Sequence, residues 1–179
     1  MTRVLQFSDL NARHAGVSAG VANSYAEAVR VCLDRHHTSP VEFKLQDNDR
    51  EEAATAEWAG TDERTKGAWA NKDDATEAGA YGLALAAVEE MRGLVAVRRA
   101  ETKTGADYYL GQPGSTLEDL EASIRLEVSG TDEGGKSVIG GRLRQKLEQA
   151  KKGKSNLPAI ASVVGFSALH IVSADVEEP

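Results

Sequence analysis

Apolar positions recur at helical spacing between residues 17 and 37, where Val21, Tyr25, Val29, Cys32 and His36 line up, and this predicts a first helix. Ser39-Pro40 stops it, because a proline disfavours helical geometry in the residue before it. The period then drops to two: Val41, Phe43 and Leu45 alternate with polar neighbours, which predicts a half-buried strand over residues 41–46. Residues 47–72 are acidic and without period, so they read as irregular apart from a short strand near residues 56–59. The first sixteen residues show no period and read as a short strand or an arm.

A second helix is predicted over residues 75–92, with Ala80, Ala84, Ala87, Val88 and Met91 as a small apolar face and Gly93 as its stop. Strands over 94–101, 106–111 and 123–130 follow, the first two joined by a tight turn at 102–105. A basic helix over 141–151 and a β-branched stretch over 157–176, bent at Gly165, complete the chain. This order predicts a mixed α/β fold, a single central mixed sheet flanked by helices. One domain is expected, with residues 1–74 carrying a helix, a strand and the acidic segment, and 75–176 forming the core.

Composition narrows the function classes. No apolar run approaches the roughly 20 residues that span a bilayer, and the start of the chain has no secretory pattern. Cys32 is the single cysteine, so no internal disulfide can form; the expectation is a cytoplasmic protein in which Cys32 packs rather than reacts. A net charge of −7 argues against non-specific nucleic-acid binding by the whole surface. The charge is uneven, however. Residues 136–154 hold seven bases and one acid, whereas residues 42–77 hold eleven acids and five bases. Arg142, Arg144, Lys146 and Lys151 are therefore candidates to contact DNA or RNA, the alternative being a solvated helix face. His14, His36, His37 and His170 show no metal-ligand spacing, and Trp58 and Trp69 are expected to anchor the acidic segment to the core.

The candidate chemistry lies on the second and third core strands. Strand alternation puts Ile124, Leu126 and Val128 on one face and Arg125, Glu127 and Ser129 on the other, while Asp107 opens the neighbouring strand. If those strands pair, Asp107 and Glu127 meet, and two carboxylates with a backbone carbonyl make a hard oxygen site of the kind Mg²⁺ or Mn²⁺ takes. Each acid also has a plainer role: Asp107 bonding turn amides, and Glu127 pairing with Arg125 or a cross-strand base. Glu77, three residues after Asp74, fits a capping box on the second helix.

The order of elements and the two acids resemble the PD-(D/E)XK nuclease superfamily, whose core is a helix, three strands, a helix and a further strand. The resemblance covers roughly residues 75–174 and implies a restriction-endonuclease-like core with Mg²⁺- or Mn²⁺-dependent cleavage of nucleic acid. By position, Asp107 matches the metal-binding aspartate and Glu127 the acid of the E-x-K element. Gln145 or Gln149 matches a glutamine on the following helix, and Glu77 an acid on the preceding one. Ser129 stands where the family has its lysine, and Lys146, Arg142 or Lys103 is the replacement to look for. GADYYLG and RLEVSG are also similar to segments of bacterial proteins of unassigned activity. A catalytically silent subunit or adaptor, joined to a protein partner or to copies of itself, is the alternative that Ser129 and the acidic charge favour. A third reading comes from residues 130–137, which fit the phosphate loop G-x-x-x-x-G-K-[ST]. Gly140-Gly141 in the first turn of its helix, Asp132 and Glu133 in the loop, and the short remaining chain all speak against it.

Overall fold

In the computed structural model, which describes residues 2–116, 118, 120–153 and 155–177, one mixed sheet organises the chain. Its strands, in chain order, are β1 (Arg3–Val4), β2 (Val41–Asp47), β3 (Arg50–Ala56), β4 (Val95–Arg99), β5 (Tyr108–Gly111), β6 (Ile124–Thr131), β7 (Ala159–Gly165) and β8 (His170–Asp175). They lie side by side as β1-β3-β2-β8-β7-β6-β5-β4. Helices α1 (Ala19–Asp34), α2 (Glu63–Ala68) and α3 (Lys72–Arg92) precede β4, and α4 (Lys136–Lys151) links β6 to β7. The mixed α/β class expected from the chain is what the structure has, and the order α3, β4, β5, β6, α4, β7 is the one read from the sequence.

The core sits between the sheet and α3. This helix is buried on most of its circumference, because α1 packs on the side away from the sheet. Small residues make that possible. A Cβ on Gly82 would come within 3.0 Å of the Val29 side chain and one on Gly79 within 3.4 Å of the Ala28 backbone of α1, so the small residues let the two helices pack closely. The sequence supplied only the sheet-facing stripe; Gly79, Gly82, Leu83 and Leu85 are buried as well. On β6, Leu126 and Val128 enter this core, and Gly130 would bring a Cβ 2.8 Å from Ala80. Arg125 and Glu127 face the other layer, where Arg125 donates to the Ala150 carbonyl of α4.

Four expectations are corrected. Residues 50–56 form β3, in a segment read as irregular apart from a short strand near residues 56–59, and no strand continues past Ala56. The cause is Asn48, which takes a left-handed φ of 52° and folds the chain back on β2 in a two-residue turn. The acids that hide its period lie on its solvated part, where Glu51 pairs with Lys44 at 2.8 Å. Helix α2 occupies residues also read as irregular, capped by Asp62, whose carboxylate accepts from the Thr65 amide. Helix α3 starts three residues early: Asn71 is its N-cap, accepting from the Asp73 and Asp74 amides, so Asp74 and Glu77 do not make a capping box. Helix α4 starts at Lys136, not Gly141, because the pair Gly140-Gly141 is carried inside a helix held by its packing on β7.

A candidate active site beside the end of β5

Strand β5 pairs with β6 through Tyr108↔Leu126 and Tyr109↔Arg125. One step further the register slips, so that Asp107 also faces Leu126, and there the pairing ends while β6 runs on to Thr131. Asp107 closes the ladder twice. Its own N–H donates to the Leu126 carbonyl at 2.7 Å, and its Oδ2 accepts from the Val128 N–H at 2.7 Å. The N–H and C=O of a strand residue point to the same side, so the Val128 carbonyl faces the same gap. Beyond lies a cavity of about 300 Å³ with walls from Glu77 and Tyr81 of α3, Val128 and Ser129 of β6, and Arg142 and Lys146 of α4. The gap in the sheet is what joins the two helical layers.

Asp107 and Glu127 sit just behind that wall. Asp107 Oδ1 accepts from the Tyr81 hydroxyl at 3.0 Å and lies 3.6 Å from the Arg99 guanidinium. Glu127, only 4% exposed, pairs through Oε1 with Lys146 Nζ at 2.9 Å. Its expected partners are not the ones it has: Arg125 instead donates to the carbonyls of Thr104, Ala150 and Leu157, and the Glu127 face is covered by α4 rather than solvated. The two acids thus bond to opposite layers, Asp107 to α3 and Glu127 to α4, and communicate through space. Burial, and after it the charge of Asp107, raises the Glu127 carboxyl above the ordinary carboxylate range, against the pull of Lys146.

Glu77 stands at the cavity mouth, exposed, with Oε1 3.3 Å from the Tyr81 hydroxyl. One hydroxyl has one proton. The shorter contact gives it to Asp107, and burial followed by the Asp107 charge keeps Tyr81 protonated. Among the described residues no three carboxylate, histidine or cysteine side chains gather into a metal cage, so Glu77, Asp107 and Glu127 do not form a three-acid cluster. Asp107 and the Val128 carbonyl face the gap, whereas Glu127 stays on the α4 side and meets Asp107 only through charge, so a hard cation would need Glu127 to turn toward the gap.

Gln145 is exposed and off the cavity wall; Gln149 is the glutamine that reaches Lys146, accepting from it at 3.1 Å. Lys103 does not line the cavity. Arg142 does, whereas Arg144 points to solvent and Lys151 pairs with Glu148 at 3.7 Å. Lys154, counted in the basic run, lies outside the described residues.

The remaining candidates resolve as packing. Cys32 is fully buried, its thiol pushed up to about 12 by burial. The Trp58 and Trp69 indoles donate to Asp34 and Glu27. His14, His36 and His37 meet Glu89, Asp132 and the Phe166 carbonyl respectively. Two objections to the phosphate loop weaken: its helix does begin at Lys136, and Asp132 turns to the opposite face, held by Arg35, His36 and Lys72. The sequence missed the tyrosine and arginine cluster around Asp107, since Tyr25, Tyr81, Arg99 and Tyr108 come from four separate elements.

No family model matches this chain, and neither a curated protein nor a solved structure matches it.

Proposed function

We propose that the chain is a PD-(D/E)XK-like, divalent-cation-dependent phosphodiester hydrolase acting on nucleic acid, in which Lys146 supplies the charge that Ser129 lacks. The observation that carries this reading is the contact of Lys146 Nζ with Glu127 Oε1 at 2.9 Å. Lys146 and Ser129 line the same cavity, so α4 brings an ammonium beside the position where the family carries its lysine. Asp107, Glu127 and the Val128 carbonyl would hold Mg²⁺ or Mn²⁺, which supplies an activated water and neutralises charge on the phosphate. Lys146, freed from Glu127, then faces the cavity and stabilises the oxygen that gains charge. Arg142 on the same wall holds the backbone next to the scissile bond.

Cleavage of single- and double-stranded DNA and RNA in Mg²⁺ or Mn²⁺ tests this. Asp107→Asn and Glu127→Gln are each expected to lose activity, and Lys146→Ala to fall by about a hundredfold or more. Activity that survives all three substitutions, or none in the unaltered protein, contradicts the reading.

A second reading, a silent nuclease-fold subunit or adaptor, is favoured by one observation: both acids are already engaged, Asp107 by Tyr81 and Val128 and Glu127 by Lys146. It expects no cleavage, and full partner binding after Asp107 and Glu127 become amides.

A further inference from the structure

Arg99 is a cation beside Asp107 that comes from outside α4. It ends β4, and its side chain is 48% exposed. Exposed arginines ordinarily sample many rotamers, yet this one is held on three sides. Its guanidinium carbon lies 4.5 Å from the centre of the Tyr81 ring and 5.0 Å from that of Tyr108. One terminal nitrogen donates to the Tyr81 hydroxyl and the other to the Asp107 carbonyl, each at 3.1 Å. The rings are fixed in turn. The Tyr108 and Tyr25 hydroxyls bond each other at 2.5 Å, and Tyr25 packs on Tyr81 with ring centres 5.5 Å apart.

That support leaves part of the planar fork turned to solvent. The Asp107 carboxylate, at 3.6 Å, pairs with the cation by charge but lies beyond hydrogen-bond range, so it occupies none of the remaining N–H donors. A guanidinium stacked on aromatic faces, with donors left over, is built to receive a bidentate oxyanion such as a phosphate. Tyr81 also links Arg99 to the cavity, because it lines the wall and donates to Asp107. Arg142 and Lys146 stand across that cavity on α4, so cations flank the acids from both layers.

We infer that Arg99, clamped by Tyr81 and Tyr108, binds a backbone phosphate of a nucleic acid laid across the cavity between β4 and α4. The site gives the substrate a second anchor, on the side of Asp107 opposite Arg142. This rests on the nuclease reading for its ligand, and the two are separable by experiment.

Binding of a short fluorescein-labelled oligonucleotide is followed by anisotropy across a salt series without divalent metal, for the unaltered protein, Arg99→Met and Arg99→Lys. Calorimetric Mn²⁺ titration and cleavage are measured on the same proteins. Arg99→Met should weaken binding by about tenfold and reduce the slope of log affinity against log salt by about one. Arg99→Lys, which keeps the charge but not the fork, should keep the slope and lose part of the affinity, and it guards against a folding defect in the first variant. Mn²⁺ binding should persist in both. Unchanged affinity and slope in Arg99→Met overturn the phosphate site even when the protein cleaves nucleic acid. An Arg99-dependent slope in a protein that neither binds Mn²⁺ nor cleaves keeps the phosphate site and overturns the hydrolase. No oligonucleotide binding at all overturns both.

Discussion

Single residues in this protein are set by what surrounds them more than by their type. Glu127 and Glu77 are both glutamates near one cavity, yet the first is buried against Lys146 and the second stands in solvent. His14 is the clearest titrating example. It is fully buried, its Nδ1 accepts from the Ala96 N–H, and its Nε2 therefore carries the proton that bonds Glu89 at 2.9 Å. Burial lowers its proton affinity below the ordinary histidine value, outweighing Glu89, and His170 is shifted the same way by burial and the nearby Lys44. The unfolded chain then binds more protons than the folded one once the pH drops below about 6.5, so stability is full above that value and lost as pH falls through the folded range. Glu127, raised rather than lowered by burial and the Asp107 charge, works in the opposite direction. Thermal melts should hold level from pH 8 to 7 and decline from about 6.5 to 5.5. A flat or rising midpoint over that interval would contradict the buried neutral imidazoles.

At the scale of elements, the chain's own patterning showed most of the core and less of its edges. The order from α3 to β8 was legible because period and stops agree: Gly93, at φ 67°, closes α3 where expected, and Gly165 ends β7. Strand β3 was not legible, because its first three residues, Arg50 to Glu52, are all charged and its pairing is set by a turn and by β2. The start of α4 was misplaced for a related reason. Local propensity counts Gly140 and Gly141 against a helix, but the seating of Ile139 beside Gly165 outweighs it, with no room for a Cβ at Gly165. The cap of α3 was missed because Asp74 and Glu77 carry a stronger pattern than Asn71, which makes the actual bonds. Asn71→Ala should therefore cost about 1 kcal/mol of stability in a denaturant titration, and Asp74→Ala much less. The reverse ranking would restore the capping box.

Over the whole molecule, the sheet joins the two halves that composition separates: β2, from the acidic part, pairs with β8 from the end of the chain, and His14 and Gly16 cover the β4 edge. No helix among the described residues is long and apolar enough to cross a membrane. The candidate site owes its existence to this arrangement, since the end of β5 opens a gap that α3 and α4 flank from opposite faces. From sequence, strand order and alternation could name Asp107 and Glu127, and the family resemblance offered Lys146, Arg142 or Lys103 as a replacement cation. That the acids bond to different layers, and that Tyr81 and Arg99 complete the surroundings of Asp107, depends on contacts between residues far apart in the chain. The most direct measurement is calorimetric titration of Mn²⁺ into the unaltered protein and into the Asp107→Asn, Glu127→Gln double variant at neutral pH. One saturable site is expected in the former and none in the latter. No saturable binding in the unaltered protein, or equal binding in both, would contradict a cation held between β5 and β6.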